Sequence, residues 1–178
     1  MMKFRFLAIA TTAAIALSGC TSLPGTSEPT SLATASLSNS AGNPVGTARL
    51  VDYGTSRAMR LLLTGLPSGT HGFHLHTTGT CTAPDFQSAG GHLNPGNKEH
   101  GSLNPAGKHL GDLPNIEVPA NGMLTTEIPL EASSADLMTA LFDSDGTAVM
   151  VHSGADDYRT DPSGDAGSRI ACGVLVRS

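Results

Sequence analysis

Histidine carries most of the potential chemistry in this 178-residue chain, and five of its seven copies fall in arrangements that suit a metal. His74 and His76 stand two apart in a stretch of β-strand composition, so both rings leave the strand on one face and can reach one ion. Two unrelated surface histidines would share that spacing, and the pair alone decides nothing. His92, His100, His109 and Asp112 follow in a segment of Gly, Asn and Pro with little apolar content to order it. A metal is a natural organiser of such a loop, and three imidazoles with one carboxylate satisfy a tetrahedral zinc site. His152 closes the apolar run Ala148-Val149-Met150-Val151, where a histidine is more often structural than ligating.

The elements that must position these side chains are short. Runs of strand character cover 35–38, 46–52, 58–63, 72–76, 124–128, 148–152 and 170–176, with 133–141 helical in composition. Turn signals at 41–44, 66–69, 121–122 and 145–146 separate them. Repeated short strands with this punctuation imply an all-β sandwich or barrel. Two long segments, 77–115 and 153–168, break the rhythm. Long ordered loops in a compact domain are usually functional, and nearly all the histidines lie in or beside these two.

Composition agrees. The chain has 21 Gly, 11 Pro and no Trp, and only 14% of its residues are charged. A formal net charge of −5 argues against a nucleic-acid partner. An acidic protein also repels anions, so an anionic substrate would need a local positive patch.

The N-terminus reads as an address. Lys3 and Arg5 precede an apolar stretch, 7–17, too short to span a bilayer. It ends in Leu17-Ser18-Gly19-Cys20, similar to a bacterial lipobox in which the cysteine becomes the lipidated first residue; an ordinary secretory signal is the alternative. Residues 1–19 are thus expected to be a lipoprotein signal peptide, 20–34 a Ser/Thr/Pro-rich tether from lipidated Cys20, and 35–178 the folded domain. The expected location is the cell envelope, on the periplasmic side of a bacterial membrane. With Cys20 lipidated, Cys81 and Cys172 remain, and an exported protein would pair them; the alternative is an odd free thiol.

At this point the residues resemble a family. His71-Gly72-Phe73-His74-Leu75-His76 is similar to the copper-binding strand of copper/zinc superoxide dismutases. Gly91-His92-Leu93-Asn94-Pro95, Lys108-His109-Leu110-Gly111-Asp112-Leu113, Val149-Met150-Val151-His152 and Gly167-Ser168-Arg169-Ile170-Ala171-Cys172-Gly173-Val174 resemble further blocks of that family, in its order. The resemblance implies a Greek-key β-sandwich or flattened barrel, immunoglobulin-like, with two long functional loops. It implies copper on His74, His76, His92 and His152, and zinc on His92, His100, His109 and Asp112, with His92 shared. It implies that Asp156 links a ligand from each site, that Arg169 attracts and orients superoxide, that His71 is structural and packs beneath the site, and that Cys81 and Cys172 form a disulfide. The activity implied is conversion of two superoxide anions and two protons to oxygen and hydrogen peroxide. A copper carrier or buffer with the same fold is the competing reading. Lys98 and Lys108 are candidates for adding to the attractive field, with ordinary solvated lysines as the alternative. The segment 156–169 looks shorter than its counterpart in the animal enzymes and more like the bacterial branch. The oligomeric state stays open, a homodimer included.

Overall fold

The computed structural model describes residues 28–131 and 134–178. The expected signal peptide, Cys20 and the first part of the tether lie outside the described residues. Among the described residues ten strands form: β1 (Thr30–Asn39), β2 (Pro44–Asp52), β3 (Arg57–Thr64), β4 (Gly69–His71), β5 (Phe73–His76), β6 (Ile116–Val118), β7 (Met123–Leu130), β8 (Ala148–His152), β9 (Arg169–Val174) and β10 (Val176–Arg177). A short helix, α1 (Ser134–Leu141), precedes β8. No helix among the described residues is long and apolar enough to cross a membrane.

One antiparallel sheet runs β5-β8-β9-β1-β2-β3-β7, with β10 also on β1, and β4 pairs with β6 in a second, small sheet. The long sheet curls on itself around one apolar core, the flattened all-β barrel expected. Period-two alternation fills that core: Ala33, Ala35 and Leu37 from β1, Leu50 from β2, and Met59, Leu61 and Leu63 from β3 all point inward.

β1 begins at Thr30, so residues 30–34 are strand and not tether. Ala33 is fully buried, and Thr34 pairs with Arg49 on one side and Val176 on the other. The Ser- and Thr-rich composition that suggested a tether is compatible with a strand once both neighbours supply hydrogen bonds, because β-propensity is largely a matter of context.

β5 and β8 are buried throughout, unlike the alternating strands. Their inner side chains, Phe73, Leu75, Val149 and Val151, belong to the barrel core. Their outer ones lie beneath the two long loops. Ala148 and Met150 pack there with Phe86, Ala89 and Cys172 in a satellite cluster. His74, His76 and His152 share this outer face.

Candidate metal centre

The antiparallel register sets His74 opposite Met150 and His76 opposite Ala148, which brings His152 alongside the pair. The loop after β5 then returns along the same edge. Leu93 N–H donates to the Leu75 carbonyl at 2.8 Å, Leu75 N–H to the Gly111 carbonyl at 3.0 Å, and Gly111 N–H to the Leu93 carbonyl at 2.9 Å. Leu93 and Leu113 anchor the two ends of this loop in the barrel core. Their neighbours His92 and Asp112 are thereby held against His76 and His74. Gly111 has no space for a side chain: a Cβ would run into the Leu75 carbonyl oxygen and lie 2.9 Å from Leu93 N.

Two groups of four ligand-type atoms result, each with all members within 4.8 Å of one another: His74, His76, His92 and His152, and His92, His100, His109 and Asp112. All seven residues are buried. In the first group one nitrogen of every ring is orientated by the protein. His74 Nε2 donates to Asp156 Oδ2 at 2.8 Å, His76 Nδ1 to the Gly90 carbonyl at 3.0 Å, and His152 Nδ1 to the Gly167 carbonyl at 3.3 Å. His92 Nδ1 lies 2.8 Å from Asp112 Oδ1. The other nitrogens, His74 Nδ1 and Nε2 of His76, His92 and His152, are buried without a hydrogen-bond partner. Orphaned buried nitrogens are costly, and four converging on one point fit a cation with a preference for imidazole.

The second group closes on one oxygen. Nδ1 of His92, His100 and His109 lie 2.8, 3.0 and 3.0 Å from Asp112 Oδ1. Asp112 Oδ2 accepts the backbone N–H groups of Gly101 and His109, both at 2.9 Å, which fixes the carboxylate plane. Three nitrogens and an oxygen at this range match a tetrahedral zinc set.

Asp156 ties the groups together. Besides His74, its carboxylate accepts His100 Nε2–H at 3.0 Å. Three residues without any sequence signal hold Asp156 in turn. Asn115 Oδ1 accepts the Asp156 N–H and Asn115 Nδ2 donates to its carbonyl, both at 2.9 Å. Tyr158 donates its N–H to Asp156 Oδ1 at 2.6 Å, and its hydroxyl accepts the Asn115 N–H at 2.8 Å. Gly164, at φ +69°, packs directly on the Asp156–His100 contact, where a Cβ would collide with the carboxylate. His71 lies below the site with its nitrogens 2.8 and 2.9 Å from the carbonyls of His152 and Pro67, the structural position expected.

Charge follows burial and partnership. Burial holds His76 down to about 2, His152 to about 3 and His92 to about 4, with neighbouring histidines adding to the effect. These rings are neutral at physiological pH, the ligating form. Burial also opposes charge on His100, but hydrogen bonding to Asp112 and Asp156 carries it up to about 9. Burial pushes Asp112 and Asp156 upward, yet their histidine bonds outweigh it and hold both carboxyls well below the usual carboxylate range.

A cleft of about 800 Å³ opens onto His76, His92 and His152. Arg169 lines it, its guanidinium fixed by the Phe86 carbonyl at 2.7 Å and the Gly90 carbonyl at 2.6 Å. The loop bearing those carbonyls is stapled to β9 by the Cys81–Cys172 disulfide. Lys98 and Lys108 do not line this cleft. They border a separate groove with Leu137 and Pro129, where Lys108 pairs with Glu131 at 2.9 Å.

The family model described as copper/zinc superoxide dismutase (SODC) matches residues 45–175. The chain belongs to the copper/zinc superoxide dismutase family. It is 42% identical to a copper–zinc superoxide dismutase of Aquifex aeolicus (strain VF5) over 144 residues, 79% of this chain and 84% of that one. The crystal structure of a superoxide dismutase-like protein from Bacillus subtilis is 40% identical with a TM-score of 0.74, covering 80% of this chain and 97% of that one. The copper/zinc superoxide dismutase from Brucella abortus is 30% identical with a TM-score of 0.65, covering 84% and 100%. Copper and zinc, the metals of this superoxide dismutase family, fit the two groups of ligand atoms.

Proposed function

We propose that His74, His76, His92 and His152 hold copper, that His92, His100, His109 and Asp112 hold zinc, and that this centre dismutates superoxide. The observation that carries the reading is the convergence of four partnerless imidazole nitrogens beside a cleft containing a fixed guanidinium. When bound, copper supplies a one-electron couple and zinc a redox-inert cation.

The chain's own residues do the rest. Arg169 draws superoxide into an otherwise acidic molecule and orients it through charge-assisted hydrogen bonds. His92 belongs to both groups, Nδ1 towards Asp112 and Nε2 towards the cleft-side histidines. Its Nε2 would take up a proton from solvent in the half of the cycle in which it does not ligate, and would give that proton to peroxide as it ligates again, the second proton coming from solvent. Asp156 holds His74 and His100 in the tautomers that leave their Nδ1 atoms free to ligate. A copper carrier or buffer would have no use for a guanidinium clamped beside the copper ligands.

The paired cysteines suit an oxidising compartment. With the N-terminal pattern ending at Cys20, they support export to the periplasmic side of a bacterial envelope and anchorage through a lipid on that cysteine.

Metal analysis of exported protein should find one copper and one zinc per chain, with dismutation dependent on the copper. His92→Ala should depress both metal affinities and abolish most of the activity; unchanged metal content in that variant would overturn the ligand assignment. Cys20→Ser should leave the protein uncleaved or released from the membrane fraction, and wild-type fractionation of that variant would overturn the anchor.

A further inference from the structure

Apart from the histidines, the cleft is lined by two charged side chains, Arg169 and Asp85. A carboxylate on the wall of a cleft that admits an anion works against capture, yet this one is held in place. Asp85 Oδ1 accepts the Gln87 N–H at 3.1 Å. The next residue, Phe86, is 2% exposed and packs in the satellite cluster with Met150 and Cys172. The carbonyl of that same Phe86 receives the Arg169 guanidinium. One buried aromatic residue therefore fixes the acid and the cation relative to each other. They do not neutralise one another by contact. Among the described residues no ion pair within 4 Å joins them, and two of the guanidinium N–H groups are committed to carbonyls. Arg169 is half-buried, whereas Asp85 is exposed. Burial draws the Arg169 guanidinium below its ordinary value, and the Asp85 charge acts in the opposite sense.

We propose that Asp85 is a specificity-determining residue for superoxide capture, its carboxylate offsetting the Arg169 charge so that the cleft takes a small monoanion and does not accumulate larger, multiply charged anions such as phosphate. The inference rests on the reading of the cleft as the superoxide channel. An inner cation behind an outer anion has a field that falls off faster than that of a lone charge. A diatomic anion that reaches Arg169 still gains short, direct hydrogen bonds there. A phosphate dianion, larger and doubly charged, meets repulsion from the exposed Asp85 along with attraction from Arg169. The encounter rate is lower than an unopposed arginine would give, and selectivity is higher.

The test uses the metal-loaded protein and Asp85→Asn, which removes the charge but keeps the oxygen that accepts the Gln87 N–H; Asp85→Ser keeps an acceptor in a second way. Pulse radiolysis gives the second-order rate constant with superoxide across ionic strength. Titration calorimetry gives the affinity for inorganic phosphate without any turnover. Both variants should react about two- to fivefold faster than wild type at low salt, with the difference gone near 1 M salt, where the screening length is ~3 Å. Phosphate should bind both variants several-fold more tightly. Rates and phosphate affinities equal to wild type at low salt, with copper content equal, would overturn the inference. A wild-type protein that binds both metals but does not turn over superoxide would overturn the dismutase reading instead, while the calorimetric comparison still decides the role of Asp85.

Discussion

Arg169 and His76 donate to the same acceptor. The Arg169 guanidinium reaches the Gly90 carbonyl oxygen at 2.6 Å, and His76 Nδ1 reaches it at 3.0 Å. The residue proposed to attract the anion and a proposed copper ligand are thus set by one peptide group, on the loop stapled at Cys81. A displacement of that loop moves both together.

Arg169 should therefore be sensitive to shape as well as to charge. Arg169→Lys keeps the charge but cannot reach the Phe86 and Gly90 carbonyls as a planar fork, and it should retain only part of the rate. Arg169→Glu should lose roughly tenfold or more at low salt. Copper should stay bound, because all four histidines and the other half of the Gly90 contact remain. The check is the second-order rate constant against ionic strength with metal content measured alongside; an Arg169→Glu protein as fast as wild type at low salt would remove Arg169 from the mechanism.

Asp156 should matter to both metals at once. Asp156→Ala leaves both histidine N–H donors, His74 Nε2 and His100 Nε2, without their acceptor. Loss of such an outer partner typically costs about 10–100-fold in metal affinity, and here the loss should fall on copper and zinc together. Asn115→Ala, which frees the Asp156 backbone, should show the same pattern more weakly. Chelator competition on the two variants measures this. Weakening of one metal with the other unchanged would contradict the bridging role.

The disulfide should support activity as well as stability. It spans a sequence separation of 91 residues, and closing a loop of that size constrains the unfolded chain by about 4–5 kcal/mol in the entropic picture. Cys81→Ser should lower the denaturation midpoint accordingly. It should also slow dismutation with copper still bound, because the Phe86 and Gly90 carbonyls that hold Arg169 lie on the released loop. A destabilised variant with wild-type rate per copper would confine the bond to a structural role.

Much of this centre was legible in the sequence because spacing and strand parity are local properties. His74 and His76 had to share a face once 72–76 was read as a strand, and the order of histidines and Asp112 in the long loop matched a zinc set. His152 was ambiguous by itself; only the pairing of β8 with β5 puts it on the outer face beside His74 and His76. The partners of Asp156 were not legible. Asn115, Tyr158 and Gly164 come from two separate loops, and their roles depend on backbone groups meeting across the site. The short strands β4 and β6 were missed for a related reason, since three residues hold no usable alternation. Lys98 and Lys108 were candidates by proximity in sequence to His100 and His109, but the loop turns them to a different groove.

The metal-free protein should be most stable near pH 6.5, and the sign follows from the histidines. His76, His92 and His152 are held at about 2, 4 and 3 in the folded state, while an unfolded histidine titrates near 6.5. Between pH 6.5 and 4.5 the unfolded chain therefore binds up to three protons that these folded rings refuse, and stability falls as pH falls. Each proton is worth about 1.4 kcal/mol per pH unit, so the limb steepens towards about 4 kcal/mol per unit. His100 acts oppositely. Held up to about 9 by Asp112 and Asp156, its contribution is fully present below pH 6.5 and is lost as pH rises towards 9, at no more than about 1.4 kcal/mol per unit. Below about pH 4 the depressed carboxyls of Asp112 and Asp156 add to the acid limb, because their stabilisation exists only while they are ionised. With both metals bound, protons must compete with coordination, so the acid limb should shift to lower pH and the alkaline decline attributed to His100 should vanish. Urea denaturation of metal-free and metal-loaded protein from pH 4.5 to 9 measures both curves. A metal-free stability that keeps rising through pH 9 would mean that His100 is not the charged partner of the two carboxylates.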